Sequence, residues 1–164
     1  MSAAKIIGTV CYVGYLKPAP GTWGSLAALP LAYAIAQVGT PWLLLAAIPL
    51  LYAGGVWATA EMTKGSDNHD PSEIVVDEVV GQWIALLPVV FGAQMMGANL
   101  LALWPGWIAA FVLFRLFDIT KPGPIGAADR RGDATGVMLD DVIAGIFAAV
   151  GVVLLAALFH LVIM

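Results

Sequence analysis

Phe114-Arg115-Leu116-Phe117-Asp118-Ile119-Thr120-Lys121-Pro122-Gly123-Pro124-Ile125 opens a polar island that runs through Asp129-Arg130-Arg131 to Leu139-Asp140-Asp141-Val142-Ile143-Ala144-Gly145. The island carries five of the eleven acidic residues and four of the seven basic ones, and apolar sequence flanks it on both sides. Such an island in so apolar a chain reads as a water-facing loop and a site at once: a catalytic loop at a membrane surface.

The composition around it sets the class. The chain has 164 residues, which suits a single domain over 1–164. Its hydrophobic fraction is 61% and its charged fraction 11%, whereas soluble domains run at about 45–50% and about 25%. Mean hydropathy is +0.92. These values point to an integral membrane protein. A net charge of −4 argues against a nucleic-acid partner and against polybasic docking to anionic lipid. Cys11 is alone, so neither an internal disulfide nor a cysteine-based zinc site is expected. No small-residue cleavage site follows the short apolar run before Leu16, so no cleavable signal peptide is expected.

Outward from the island, the chain divides into apolar runs. Lys17-Pro18-Ala19-Pro20-Gly21-Thr22-Trp23-Gly24 reads as a turn cluster, with Thr22 or Ser25 capping a helix over about 25–37. That helix would rise only about 20 Å, so it is expected to be short, kinked or re-entrant. Gly39-Thr40-Pro41 ends it, and Trp42 to Met62 is long enough to span. A polar loop with Lys64, Asp67, His69, Asp70 and Glu73 follows, where Asp70 and Glu73 read as solubility and capping residues. Asp77-Glu78 opens a run to about Gly92, Leu100–Phe117 is the next span, and Asp140 opens the last. The expected fold is a compact all-α membrane bundle of five to six helices.

Alternating directions for five runs put every lysine and arginine at one end, while the connections near 38–41 and 93–99 carry no charge. The positive-inside rule then places the charged end in the cytoplasm. Three helix starts are expected to meet there, bearing Thr22/Ser25, Asp77-Glu78 and Asp140-Asp141; helix N-termini favour phosphate. The two acid pairs also echo one another. Each sits between apolar residues, with Gly81 or Gly145 three or four positions after the second acid, and glycine there permits close helix approach.

Acidic pairs at helix starts can simply cap and favour the helix dipole. Two pairs plus Asp118 near lipid are harder to explain that way, because unpaired carboxylates at a membrane are costly and tend to be functional. Asp77, Glu78, Asp118, Asp140 and Asp141 are therefore the expected catalytic metal ligands. Oxygen donors without cysteine suggest Mg²⁺. Arg115 and Asp118 are spaced for an ordinary ion pair, but Arg115, Lys121 and Arg130 can also hold phosphate oxygens, with Thr22 and Ser25 completing the cradle. His69 has no partner at zinc-ligand spacing and His160 lies at the far end of the last run, so neither is an expected catalytic group.

Four motifs carry a resemblance: Pro20-Gly21-Thr22-Trp23-Gly24-Ser25-Leu26, Asp77-Glu78-Val79-Val80-Gly81, Phe114-Arg115 to Asp118 and Lys121-Pro122, and Gly136-Val137-Met138-Leu139-Asp140-Asp141 to Ala144-Gly145. In order and spacing, over about residues 18–150, they resemble the phosphatidylglycerophosphatase A family of bacterial inner-membrane lipid phosphatases. The resemblance implies Mg²⁺-dependent hydrolysis of phosphatidylglycerophosphate to phosphatidylglycerol, on a membrane phospholipid and with the site facing the cytoplasm. The chain departs from the family pattern at Asp133, where a glycine is usual, and near Gly126, where a basic residue is frequent. A lipid phosphotransferase is the alternative, although the Asp-Gly-x-x-Ala-Arg opening of such enzymes is missing. A non-enzymatic cation-handling protein is a weaker one, because the acids lie at one end and not at mid-membrane.

Overall fold

The computed structural model describes residues 2–66 and 68–163; Met1, Asp67 and Met164, which the sequence reading placed in the first run, the polar loop and the last run, lie outside the described residues. Six helices follow in order: α1 (Ala3–Gly8), α2 (Pro20–Met62), α3 (Val76–Met95), α4 (Trp104–Thr120), α5 (Pro124–Asp129) and α6 (Ala134–Ile163), with 3₁₀ turns at Val13–Tyr15 and Leu100–Leu103. No strand occurs among the described residues. Four of the helical segments are long and apolar enough to cross a membrane. The protein is an all-α, multi-pass membrane bundle.

The longest of these segments is two crossings. Within α2, Thr40 takes φ 69° and ψ 168°, outside the helical region, and Pro41 follows. The chain reverses there into arms of residues 20–39 and 41–62. Gly24 on the first arm lies against Val75, and Gly55 on the second lies against Val76 and Met138. Both arms therefore return to the start of α3, and the count of crossings is five.

The first arm is longer than expected. Its helix begins at Pro20, with no side-chain cap. Proline suits a first helical position because its φ is already set and its missing N–H would have had no partner. The arm then rises about 30 Å, enough to span, so neither the shortened reading nor the capping role for Thr22 or Ser25 holds. The Ser25 hydroxyl instead donates back to the Gly21 carbonyl at 3.0 Å.

The start of α6 also differs. Asp133 Oδ1 accepts from the Gly136 N–H at 2.7 Å, and its carbonyl accepts from Val137 N at 3.1 Å. Asp133 thus caps α6, in the manner short acidic side chains do. The Arg131 guanidinium beside Asp133 holds its carboxyl below the ordinary value. Asp140 and Asp141 consequently sit about two turns into the helix, and the expected third helix start bearing an acid pair is not formed.

α3 is the central post. In its apolar window 67% of residues are buried, against 22% in each of the other three spans. Val79, Leu86 and Val90 pack with Ala28 and Ala32 of α2, Phe114 of α4, and Ala144 and Ala148 of α6. Trp83 Nε1 donates to the Ala28 carbonyl at 3.0 Å. The closest approach is between α3 and α6. A Cβ on Gly81 would lie 2.6 Å from the Asp141 carbonyl oxygen, and one on Gly145 would lie 3.0 Å from Gly81 Cα. Only glycine at both positions lets the two backbones touch.

Candidate active site

The backbone contact decides where the acids meet. α3 and α6 both start at the charged end and run side by side. Asp77 and Glu78 precede Gly81 by about one turn, and Asp141 precedes Gly145 by the same. The crossing therefore brings the three carboxylates together. Each of Asp77, Glu78 and Asp141 offers an oxygen, and these oxygens lie within 4.8 Å of one another. Asp77 Oδ1, Glu78 Oε2 and Asp141 Oδ2 are buried with no hydrogen-bond partner. Carboxylates this close together repel, and each of these keeps a buried oxygen with no donor among the described residues. A hard cation satisfies all three, so the donor set fits a magnesium-like ion.

A cavity of about 350 Å³ opens above this cluster. Asp70, Asp77, Glu78, Asp118, Asp140 and Asp141 line it, with Arg115 and Lys121 as the two cations. Arg115 reaches across from α4. It pairs with Asp118 one turn away, lies 4.0 Å from Glu78 Oε1, and donates to Ser25 Oγ at 3.4 Å. Gly21 makes room for this arrangement: a Cβ there would strike Glu78 Oε1 and come within 3.3 Å of the Arg115 guanidinium. Lys121 bridges Asp129 and Asp140, at 2.7 Å from Asp140 Oδ2. Burial alone would lower the Lys121 ammonium, but the bonds to Asp129 and Asp140 outweigh it and raise its pKa above the ordinary value. Lys121 therefore stays charged throughout the physiological range.

Residues 6–156 match the family model for phosphatidylglycerophosphatase A. This chain belongs to the phosphatidylglycerophosphatase A family. It is a phosphatase by membership. Its relatives include the phosphatidylglycerophosphatase A of Escherichia coli, 37% identical over 79% of this chain and 70% of that one. The Haemophilus influenzae phosphatidylglycerophosphatase A is 36% identical over 84% and 78% of the two chains. A Bacteroides thetaiotaomicron protein provisionally named a phosphatidylinositol-3-phosphatase is 36% identical over 87% of each. No solved structure matches.

Within this family member, the ten sequence-derived site residues fall into three groups. Asp77, Glu78, Asp118, Asp140, Asp141, Arg115 and Lys121 line one cavity. Ser25 is fully buried behind Arg115 and touches its guanidinium without reaching the cavity wall. Thr22 lies outside the lining, and Arg130 is solvent-exposed at the end of α5. One contributor escaped the sequence reading, and a second was anticipated through its neighbours. Asp70 stands at the mouth, where desolvation raises its carboxyl above the ordinary value against the opposing pull of Lys121. The α2 start forms the wall on the side where Thr22 and Ser25 were expected to complete the cradle, but Ala19, Pro20 and Gly21 line it instead. Nothing in the polar loop distinguishes Asp70 from its exposed neighbours, but the glycine of Pro20-Gly21 was a usable signal of close approach.

Proposed function

We propose that this protein hydrolyses the phosphate monoester of phosphatidylglycerophosphate in a Mg²⁺-dependent reaction, giving phosphatidylglycerol and inorganic phosphate, at the cytoplasmic face of a bacterial inner membrane. Family membership supports the reaction. The observation that carries the chemistry is the cluster of three unpartnered, buried carboxylate oxygens beneath Arg115 and Lys121.

Asp77, Glu78 and Asp141 would hold the ion, with Asp118 and Asp140 in the same cavity. A bound Mg²⁺ offsets the charge of the monoester dianion and acidifies water. The chain's own groups do the rest. Arg115, kept in place by Asp118 and Ser25, presents N–H groups to phosphate oxygens. Lys121 supplies a second positive charge, fixed by two carboxylates and so costing little reorganisation as charge builds in the transition state. Gly21 leaves space beside them. Six acids against two bases would repel a phosphate, so binding and hydrolysis both require the ion. Water adds to phosphorus and gives up a proton, the P–O bond to glycerol breaks, and that proton ends on the departing alkoxide. The basic residues at the same end of the bundle support the cytoplasmic orientation.

The deciding experiment measures inorganic phosphate released from phosphatidylglycerophosphate in mixed micelles, with and without Mg²⁺. Phosphatidylinositol 3-phosphate and phosphatidic acid serve as competitors. Metal-dependent release with preference for phosphatidylglycerophosphate is expected. A folded sample without metal-dependent release removes the proposal, and a preference for phosphatidylinositol 3-phosphate reassigns the substrate.

A further inference from the structure

Gln82 has no exposed surface, and neither its amide nitrogen nor its amide oxygen has a hydrogen-bond partner. It sits in α3, the most buried span of the bundle. An unsatisfied carboxamide there costs more than leucine or methionine would, and uncompensated polar groups inside membrane helices tend to be functional. Its neighbours are accounted for: Gly81 makes the α6 crossing, and Trp83 is tied to Ala28.

Helix geometry sets Gln82 beside Glu78. It stands four residues after Glu78, on the same face and one turn further along. Side chains on a helix lean toward its N-terminus, which puts the Gln82 side chain on the part of its turn nearer Glu78, with no hydrogen bond between the two in this structure. Glu78 Oε1 is the oxygen that faces Arg115 and Gly21, whereas Oε2 is buried and unpartnered. A free donor and a free acceptor therefore occupy successive turns of one face.

We propose that Gln82 is a positioning residue for Glu78: its amide donates to Glu78 Oε2 when Glu78 turns to hold the cation, fixing the carboxylate's orientation. This rests on the cation reading of the site given above. The carboxylates line the cavity, and Gln82 stands behind them, one helical turn further into α3.

The test needs no turnover. Mn²⁺ binding to the full-length purified protein, without substrate, is followed by electron paramagnetic resonance. Gln82→Met, of similar length but apolar, should weaken Mn²⁺ about 10-fold, as loss of an outer-row partner commonly does, with the melting temperature unchanged or raised. A Gln82 that served only the fold would instead lower it. In a Glu78→Gln background, Gln82→Met should change Mn²⁺ affinity no further, because the two act through one another. Wild-type affinity in Gln82→Met, or an equal loss in both backgrounds, overturns the assignment. If Gln82→Met does not fold, Gln82→Asn, whose amide is one carbon shorter, replaces it with the same expectations. Absence of Mn²⁺ binding to the wild-type protein removes the cation reading itself, and this inference with it.

Discussion

Asp77-Glu78 on α3 and Asp140-Asp141 on α6 read alike in sequence but are used differently. The α3 pair stands in the first helical turn, and each acid keeps a buried oxygen without a partner. The α6 pair stands two turns in, behind the Asp133 cap, and it is split. Asp140 is committed to Lys121 and to the Asp141 N–H at 3.0 Å, whereas Asp141 keeps Oδ2 free and joins the α3 acids. The difference comes from what covers each pair. The segment between α4 and α6 folds Lys121 onto Asp140, and among the described residues no cation pairs with Asp77. A repeated motif thus supplies three clustered carboxylates with buried, unpartnered oxygens and one anchor for a lysine.

Substitutions at the acids test that division most strongly. Asp141→Asn should reduce kcat/KM on the order of 10³-fold in the phosphate-release assay, by analogy with removal of a key electrostatic group from an active site. Asp140→Asn should cost less, on the order of 10- to 100-fold, because it acts through Lys121. Equal losses would erase the distinction between the two acids. A gentler test addresses the crossing that brings the pairs together. Gly145→Ala must push against the Gly81 backbone and should destabilise the protein by about 1–3 kcal/mol in chemical or thermal unfolding. Gly54→Ala, with nothing within 4 Å of its added carbon, should stay within about 0.5 kcal/mol of wild type. If both alanines are tolerated alike, the acids are not gathered by backbone contact.

Much of this was legible beforehand. The five crossings, the uncharged far end and the spacing from acid to glycine in both motifs all follow from the residues. The same spacing marked Gly81 and Gly145 as places where helices approach closely, but that they meet one another is visible only in the structure. The helix starts were less legible. Pro20 and Gly21 are turn formers in most contexts, but proline is also compatible with a first helical turn and glycine with a crowded wall. Asp133 looked like a departure from a family glycine, and its capping bond depends on a backbone geometry that composition does not specify. Asp70 reaches the cavity only through the path of a loop. The ties of Arg115 to Asp118 and Lys121 to Asp129 were half visible: the first follows helical spacing, and the second needs α5 to turn the chain back.

The α3–α6 contact also acts as a fulcrum. Helices that touch through their main chains pivot at the point of contact, with no side chain between them to compress. Glu78 and Asp141 lie about 5–6 Å from that pivot, whereas Met95, at the other end of α3, lies about 21 Å away at 1.5 Å per residue. A rocking of about 5° would displace the far end by roughly 2 Å and the carboxylates by roughly 0.5 Å. The lever arms are unequal in the direction that favours chemistry: the span can follow the lipid while the acids hold their spacing.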